Sequence, residues 1–322
     1  MTVLGVCGLG SIGRRHARLL AEIEGVRVVG YDPVTATPSE RGDRPATVGS
    51  FEELLRVGLD GLVVASPDRF HAEATVAACR AGIPVLVEKP LAGSTGDAAS
   101  IAAVARETGV PVLVGYVLRS FRCMRRARDL LADGAIGRPV SFQAMLGAYQ
   151  TLAVARNRFA ESTAGGLYLD YSHEWDYLRW LLAPVVGGFA LSQEAGDLPL
   201  SRDPNVVDAV LRLATGVTGT AHLDYVQDRP RRSISIVGDR GTLDLDVPSG
   251  WVALSRPGSD DIVEDLSEPR DDGFRSQAQH FLELIADPTG QRPRADVVDG
   301  MAAIAVAEAL QRSAASRTWQ DV

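Results

Sequence analysis

Six residues near the start of the chain restrict its fold more than any other feature. Gly8-Leu9-Gly10-Ser11-Ile12-Gly13 directly follows the apolar run Val3–Cys7 and opens a helical pattern over Ile12–Ile23. In a GxGxxG turn the first glycine takes the sharp reversal. The second lets backbone approach a pyrophosphate, and the third lets helix pack against strand, while the helix N-terminus favours the anion. Gly8, Gly10, Ser11, Ile12 and Gly13 are therefore expected to line a dinucleotide. The next strand-like run, Val26–Tyr31, leads into Asp32. It stands about 20 residues beyond the turn, where an acid should hold the adenosine ribose hydroxyls. Its charge repels a 2′-phosphate and no Arg follows it at once, so NAD is expected over NADP.

The pattern that begins there continues. Short apolar runs at Gly61–Ala65, Pro84–Val87 and Pro111–Val114 alternate with helical patterns at Phe51–Val57, His71–Ala81 and Asp97–Glu107. Runs of that kind suit strands buried on both sides, and the alternation predicts an α/β fold with a doubly wound parallel sheet. After Val114 the pattern changes. Helices are expected at Phe121–Ala132 and Leu167–Leu182, and strands at Val140–Ala148, Val206–Ala214, Gly219–Val226, Ser233–Val237 and Thr242–Val247. Helices return at Gln277–Ile285 and Val297–Ser313, and 258–272 reads as a polar loop. Grouped strands with helices outside predict an α+β second domain on an open, mainly antiparallel sheet. The boundary is set at 118/119, giving domains 1–118 and 119–322.

Composition excludes some functions. At 322 residues and net charge -8 the chain is neither short nor basic, which argues against nucleic acid or an anionic membrane as partner. No apolar run reaches the ~20 residues of a membrane span. Cys7, Cys79 and Cys123 are scattered without a CxxC pair and read as reduced, buried thiols of a cytoplasmic protein. Of the 33 basic residues, only Lys89 is lysine. Where charge alone matters Arg serves, so the surviving lysine marks a position where a tunable ammonium is wanted.

Two clusters carry candidate chemistry. Glu88-Lys89-Pro90 follows the strand at 84–87, and ligands of open α/β sheets bind beyond the carboxyl ends of the strands. Lys89 is thereby expected beside the nicotinamide, with Glu88 at its flank. Pro67 and His71, after the strand at 61–65, are candidates to cover the same ring, although His71 reads equally as a helix-start residue. The second cluster runs Gly165-Gly166-Leu-Tyr-Leu-Asp170-Tyr-Ser-His173-Glu174. Three residues apart on a helix, Asp170 and His173 share a face, and a carboxylate beside an imidazole suits proton transfer to a hydroxyl. Tyr116 and Arg119 at the domain junction, and Arg156 and Arg158 in a loop, are candidate substrate contacts. A solvated basic loop is an equal reading of the last two. No metal site is expected, since no other His falls in a ligand-like pattern.

With GLGSIG, Asp32, EKP at 88–90 and the Gly-Gly…Asp…His run in this order, the chain resembles the glucose–fructose oxidoreductase / inositol dehydrogenase / rhizopine catabolism (Gfo/Idh/MocA) family. Gly115-Tyr116, Gly137, the stretch Gly238 to Leu243 and the helix around His280-Phe281 extend the likeness over nearly the whole length. The resemblance implies a Rossmann domain, a second α/β domain whose open sheet forms the dimer contact, and a homodimer or homotetramer. It implies reversible, NAD(P)-dependent oxidation of a secondary alcohol in a sugar, sugar nucleotide or cyclitol. Lys89, His173 and Asp170 match the family lysine, histidine and aspartate. The family spacing is Asp-x-x-x-His, whereas Asp170 and His173 are one residue closer, so Asp170 is the weaker match. An Asn common two residues after the Gly-Tyr pair is absent here. Use of the same site for an NAD-assisted elimination or glycoside cleavage, or for cofactor sensing without chemistry, stays open at this level.

Overall fold

The computed structural model describes residues 1–34, 45–148, 166–195 and 204–322. The chain divides into two compact units, Met1–Ser120 with Pro269–Ile304, and Phe121–Glu268 with Ala305–Val322. A single cut after residue 118 does not anticipate this division, because the helical segment 269–304 packs with the first unit.

The first unit is built on a six-stranded parallel sheet in the order β3-β2-β1-β4-β5-β6. Its strands are β1 Thr2–Cys7, β2 Val26–Tyr31, β3 Ala46–Thr47, β4 Gly61–Val64, β5 Val85–Val87 and β6 Val112–Val114. The helices between them are α1 Ser11–Ala21, α2 Phe51–Arg56, α3 His71–Arg80 and α4 Thr95–Thr108. Strands β4, β5 and β6 are buried along their whole length, which is why they read as plain apolar runs. Ser50 caps α2 by accepting the Glu53 N–H at 3.1 Å. The late helix Arg270–Ala286 joins this unit because Ala278, Phe281 and Leu284 enter the core formed by Leu4, Val6, Leu20 and Val63. A Cβ on Gly61 would stand 2.6 Å from Ile285 Cδ1 and 3.0 Å from Phe281 Cζ, so the glycine lets these side chains pack close to the strand. Ion pairs from Arg15 to Asp271 (3.1 Å) and Arg275 to Glu22 (2.9 Å) fasten the same helix to α1.

The second unit holds nine strands among the described residues. They are β7 Pro139–Gly147, β8 Val185–Gln193, β9 Val206–Leu213, β10 Thr218–Asp224, β11 Arg231–Gly238, β12 Gly241–Asp246, β13 Trp251–Ser255, β14 Ile262–Asp265 and β15 Gln320–Asp321. Their order is β14-β13-β12-β11-β7-β10-β9-β8-β15. Only β7 and β10 pair parallel, so the sheet is mainly antiparallel as expected. Strand β8 has no counterpart in the sequence reading. A Cβ on its Gly187 would meet Trp319 Nε1 at 2.7 Å, and one on its Gly188 would meet Leu310 Cδ2 at 2.8 Å. The glycines admit packing from the chain's C-terminal segment. The expected polar loop 258–272 contains the edge strand β14. Helix α5 spans Arg122–Ala132, and the expected helix Leu167–Leu182 breaks at Tyr171 (φ -102°, ψ 30°) into α6 Gly166–Asp170 and α7 Ser172–Leu181.

Candidate active site

At the end of β1 the backbone turns through Gly8 at φ 91°, a conformation that favours glycine. A Cβ on Gly13 would stand 1.8 Å from Gly8 O, so α1 can begin this close to the strand only with glycine. Around Gly10 the opposite holds. Apart from its own chain neighbours, nothing among the described residues lies within 4 Å of where its Cβ would be. Helix α1 starts there with no side-chain cap and no acid in its first turn. The result is an open approach to backbone N–H groups at a positive helix end, the arrangement a pyrophosphate requires. Asp32 closes the loop from the next strand. Its Oδ2 accepts the Leu9 N–H at 2.7 Å and its Oδ1 the Val34 N–H at 2.9 Å. These residues fit a dinucleotide.

Lys89 leaves the carboxyl end of β5 half-buried, and its bond to Pro90 is cis. The turn around it is braced from inside the unit. Glu88, predicted as a cofactor contact, is 7% exposed and faces inward to His16, with Glu88 Oε1 2.7 Å from Nε2. Burial alone would raise the Glu88 carboxyl. The hydrogen bond and charge of His16, joined by Lys89, outweigh burial and hold it below the usual carboxylate range. Gly115 makes room for it, since a Cβ there would stand 2.9 Å from Glu88 Cα. His71 also turns inward. At 1% exposure, its Nδ1 lies 2.8 Å from Pro90 O and its Nε2 2.8 Å from Ser66 O, and burial lowers its imidazole below the ordinary range. Both residues thereby brace the turns after β4 and β5. Pro67 lies in the β4 turn and precedes the short 3-10 helix Asp68–Phe70.

In the second unit Asp170 ends α6 and His173 lies in the first turn of α7, 8% exposed. The break at Tyr171 separates them, so they do not share one continuous helix face. Two partners distant in sequence shape this cluster. The Tyr225 hydroxyl donates to Asp170 Oδ2 at 2.9 Å, and Arg232 Nε on β11 donates to the fully buried Glu174 at 2.8 Å. Neither was predicted. A tyrosine closing a strand next to an acid, Asp224-Tyr225, was the available hint.

Two predicted substrate contacts are engaged inside the first unit. Tyr116 is 1% exposed, buried with the core. Arg119 is 5% exposed and donates to Arg294 O at 2.5 Å and Asp299 Oδ2 at 2.9 Å. The partners that hold Arg119 lie in the second segment of the unit and are unreadable locally. Arg156, Arg158 and Gly165 lie outside the described residues. No group of His, Cys, Asp and Glu suited to a metal occurs among the described residues. The three thiols are free and buried, and burial first of all pushes them up, Cys7 to about 12 and Cys79 and Cys123 to about 11. No helix among the described residues is long and apolar enough to cross a membrane.

A doubly wound parallel sheet with this glycine turn and strand-end acid defines a dinucleotide-binding class of enzyme. Residues 3–116 match the family described as oxidoreductase family, NAD-binding Rossmann fold, and residues 124–244 match the GFO/IDH/MocA C-terminal domain. The chain is 31% identical to inositol 2-dehydrogenase 1 of Saccharopolyspora erythraea over 97% of its own length and 94% of the relative's. It is also 31% identical to 1,5-anhydro-D-fructose reductase of Ensifer adhaerens over 74% of each chain. Among solved structures, levoglucosan dehydrogenase in complex with NADH and levoglucosan shares the fold, with a TM-score of 0.89 at 20% identity over 100% of this chain and 99% of that one. The chain belongs to the Gfo/Idh/MocA family of oxidoreductases.

Proposed function

We propose that the protein transfers hydride between a nicotinamide dinucleotide and a secondary alcohol carbon of a sugar, sugar nucleotide or cyclitol. The observation that carries this reading is Lys89, the one lysine of the chain, at the carboxyl end of β5 in a turn braced by Glu88 and His71. The inositol and anhydrofructose enzymes named above support the substrate class. The Gly8–Gly13 turn and Asp32 hold the dinucleotide, which when bound supplies the hydride acceptor or donor at C4 of its nicotinamide. Lys89 hydrogen-bonds the reacting oxygen and stabilises the charge that develops on it. His173 takes the hydroxyl proton or returns it, and Asp170 supports it. Asp32 favours NAD over NADP, because its carboxylate, fixed by two backbone N–H groups, repels a 2′-phosphate.

The assembly is a homo-oligomer, at least a dimer. One face of the nine-stranded sheet exposes Leu191, Val210, Val237, Trp251 and Val263, each 39–57% accessible, and a second copy covers them. Light scattering that returns a monomer at working concentration refutes this.

The deciding experiment is Lys89→Arg. A guanidinium keeps the charge but is larger, planar and permanently protonated. The variant should fold, bind NAD through the unaltered turn and lose nearly all turnover. Retention of more than about a tenth of the rate, a loss below ~1.4 kcal/mol, removes Lys89 from the mechanism.

A further inference from the structure

We infer that Tyr225 is a positioning residue for proton transfer: its hydroxyl holds the Asp170 carboxylate in the orientation in which it supports His173. The inference rests on the reading of Asp170 and His173 as the acid–base pair. Asp170 is the last residue of the five-residue helix α6, and Tyr171 (φ -102°, ψ 30°) interrupts the helix immediately after it. One continuous helix face therefore does not set this carboxylate beside residue 173. What meets it from outside its own helix is the Tyr225 hydroxyl, 2.9 Å from Oδ2.

The hydroxyl is itself held tightly. Tyr225 is 4% exposed, and its ring lies 5.0 Å from that of Tyr171, the residue next to Asp170. Its N–H donates to Asn205 O at 2.9 Å. The turn that follows is organised by Asp224, whose Oδ1 accepts the N–H groups of Val226 and Gln227, each at 2.7 Å. Asp224 Oδ2 accepts the Gln227 side-chain amide and lies 2.9 Å from His222 Nε2. Burial would raise the Asp224 carboxyl, but these hydrogen bonds outweigh it and keep it charged. The pathway is thus Asp224, the 225–227 turn, the Tyr225 hydroxyl, Asp170. Packing alone does not require the hydroxyl, since a phenylalanine ring has the same shape. What the oxygen adds is a donor aimed at a carboxylate, a charge-assisted hydrogen bond of the stronger kind.

Tyr225→Phe removes that donor and leaves the ring. Turnover is measured on a panel of inositols, aldoses and nucleotide sugars with NAD, by the absorbance of reduced nicotinamide, for Tyr225→Phe, Asp170→Asn, their double variant and His173→Ala. Tyr225→Phe should lower kcat about tenfold, the size of one hydrogen bond to a charged group, with KM, NAD affinity and melting temperature nearly unchanged. The double variant should be no slower than Asp170→Asn, because the hydroxyl acts only through that carboxylate. A wild-type kcat in Tyr225→Phe, or losses that multiply in the double variant, overturns the inference. Asp170→Asn and His173→Ala both retaining full rate overturns instead the underlying acid–base reading. A measurement without substrate stands beside these. The 13Cγ resonance of Asp170, assigned by its loss in Asp170→Asn, should move in Tyr225→Phe, and an unmoved resonance also overturns the inference.

Discussion

The dinucleotide turn of the first unit and the Asp170–His173 cluster of the second are constructed from different materials. The turn consists of backbone. Gly8 supplies a left-handed residue, Gly13 a close approach and α1 a free N-terminus, while Asp32 reaches the turn through main-chain N–H groups. The second cluster consists of side chains held by other side chains. Tyr225 orients Asp170, and Arg232 neutralises Glu174, which is wholly buried beside His173. A backbone site is specified by a handful of consecutive residues and tolerates change elsewhere. A site made of paired side chains depends on distant strands keeping their register, so mutations far along the chain reach it.

The largest expected effect tests that dependence. Arg232→Ala leaves the buried Glu174 carboxylate without this cation, which costs roughly 3–5 kcal/mol for a buried pair. Denaturant unfolding should show that loss in the second unit, and NAD affinity should stay within about twofold. An equal fall in NAD affinity breaks the contrast between the two regions. A smaller effect sharpens the backbone side of it. Titration should show NAD bound at least about tenfold more tightly than NADP, one charge repulsion's worth, and Asp32→Ala should narrow the ratio while the glycine turn still binds both. Tighter binding of NADP to the unaltered protein removes the role given to Asp32.

The smallest effect is a pH dependence on the open sheet face. His222 sits with Nδ1 2.7 Å from Asp208 and Nε2 2.9 Å from Asp224. Burial works against its charge, but the hydrogen bonds to Asp208 and Asp224 and their charges outweigh burial and raise the imidazole above its ordinary value of 6.5. A raised folded value means the pair's contribution is complete below that ordinary value and disappears as pH rises through the raised one. The stability difference between wild type and His222→Gln should therefore be larger at pH 6 than at pH 9. Equal differences at both would show that the charge does not matter there.

Legibility in the sequence follows the same divide. The βα alternation of the first unit was readable because strands buried on both faces must be short apolar runs. The place of Lys89 after β5 and the glycine turn were readable because each is set by neighbouring residues. Strand β8 was not, since its glycines answer to Trp319 and Leu310 rather than to local propensity. Nor was the inward turn of Glu88, whose partner His16 is 72 residues away, nor the burial of Arg119 against Asp299, 180 residues on.

By itself the sequence determined the doubly wound sheet, the dinucleotide turn, the acid at the end of β2 and the lysine at the end of β5. Each follows from periodicity, from backbone conformations that only glycine adopts readily, or from a side chain whose position along a strand sets its place in the sheet. Only the tertiary structure decided that residues 269–304 complete the first unit, that Tyr171 interrupts the Asp170–His173 helix, and which side chains support the catalytic candidates. Tyr225 lies 55 residues from Asp170 and Arg232 lies 58 from Glu174. Pairings at such separations depend on strand register and on the burial that makes an unpaired polar group costly, and neither is expressed in any local stretch of sequence.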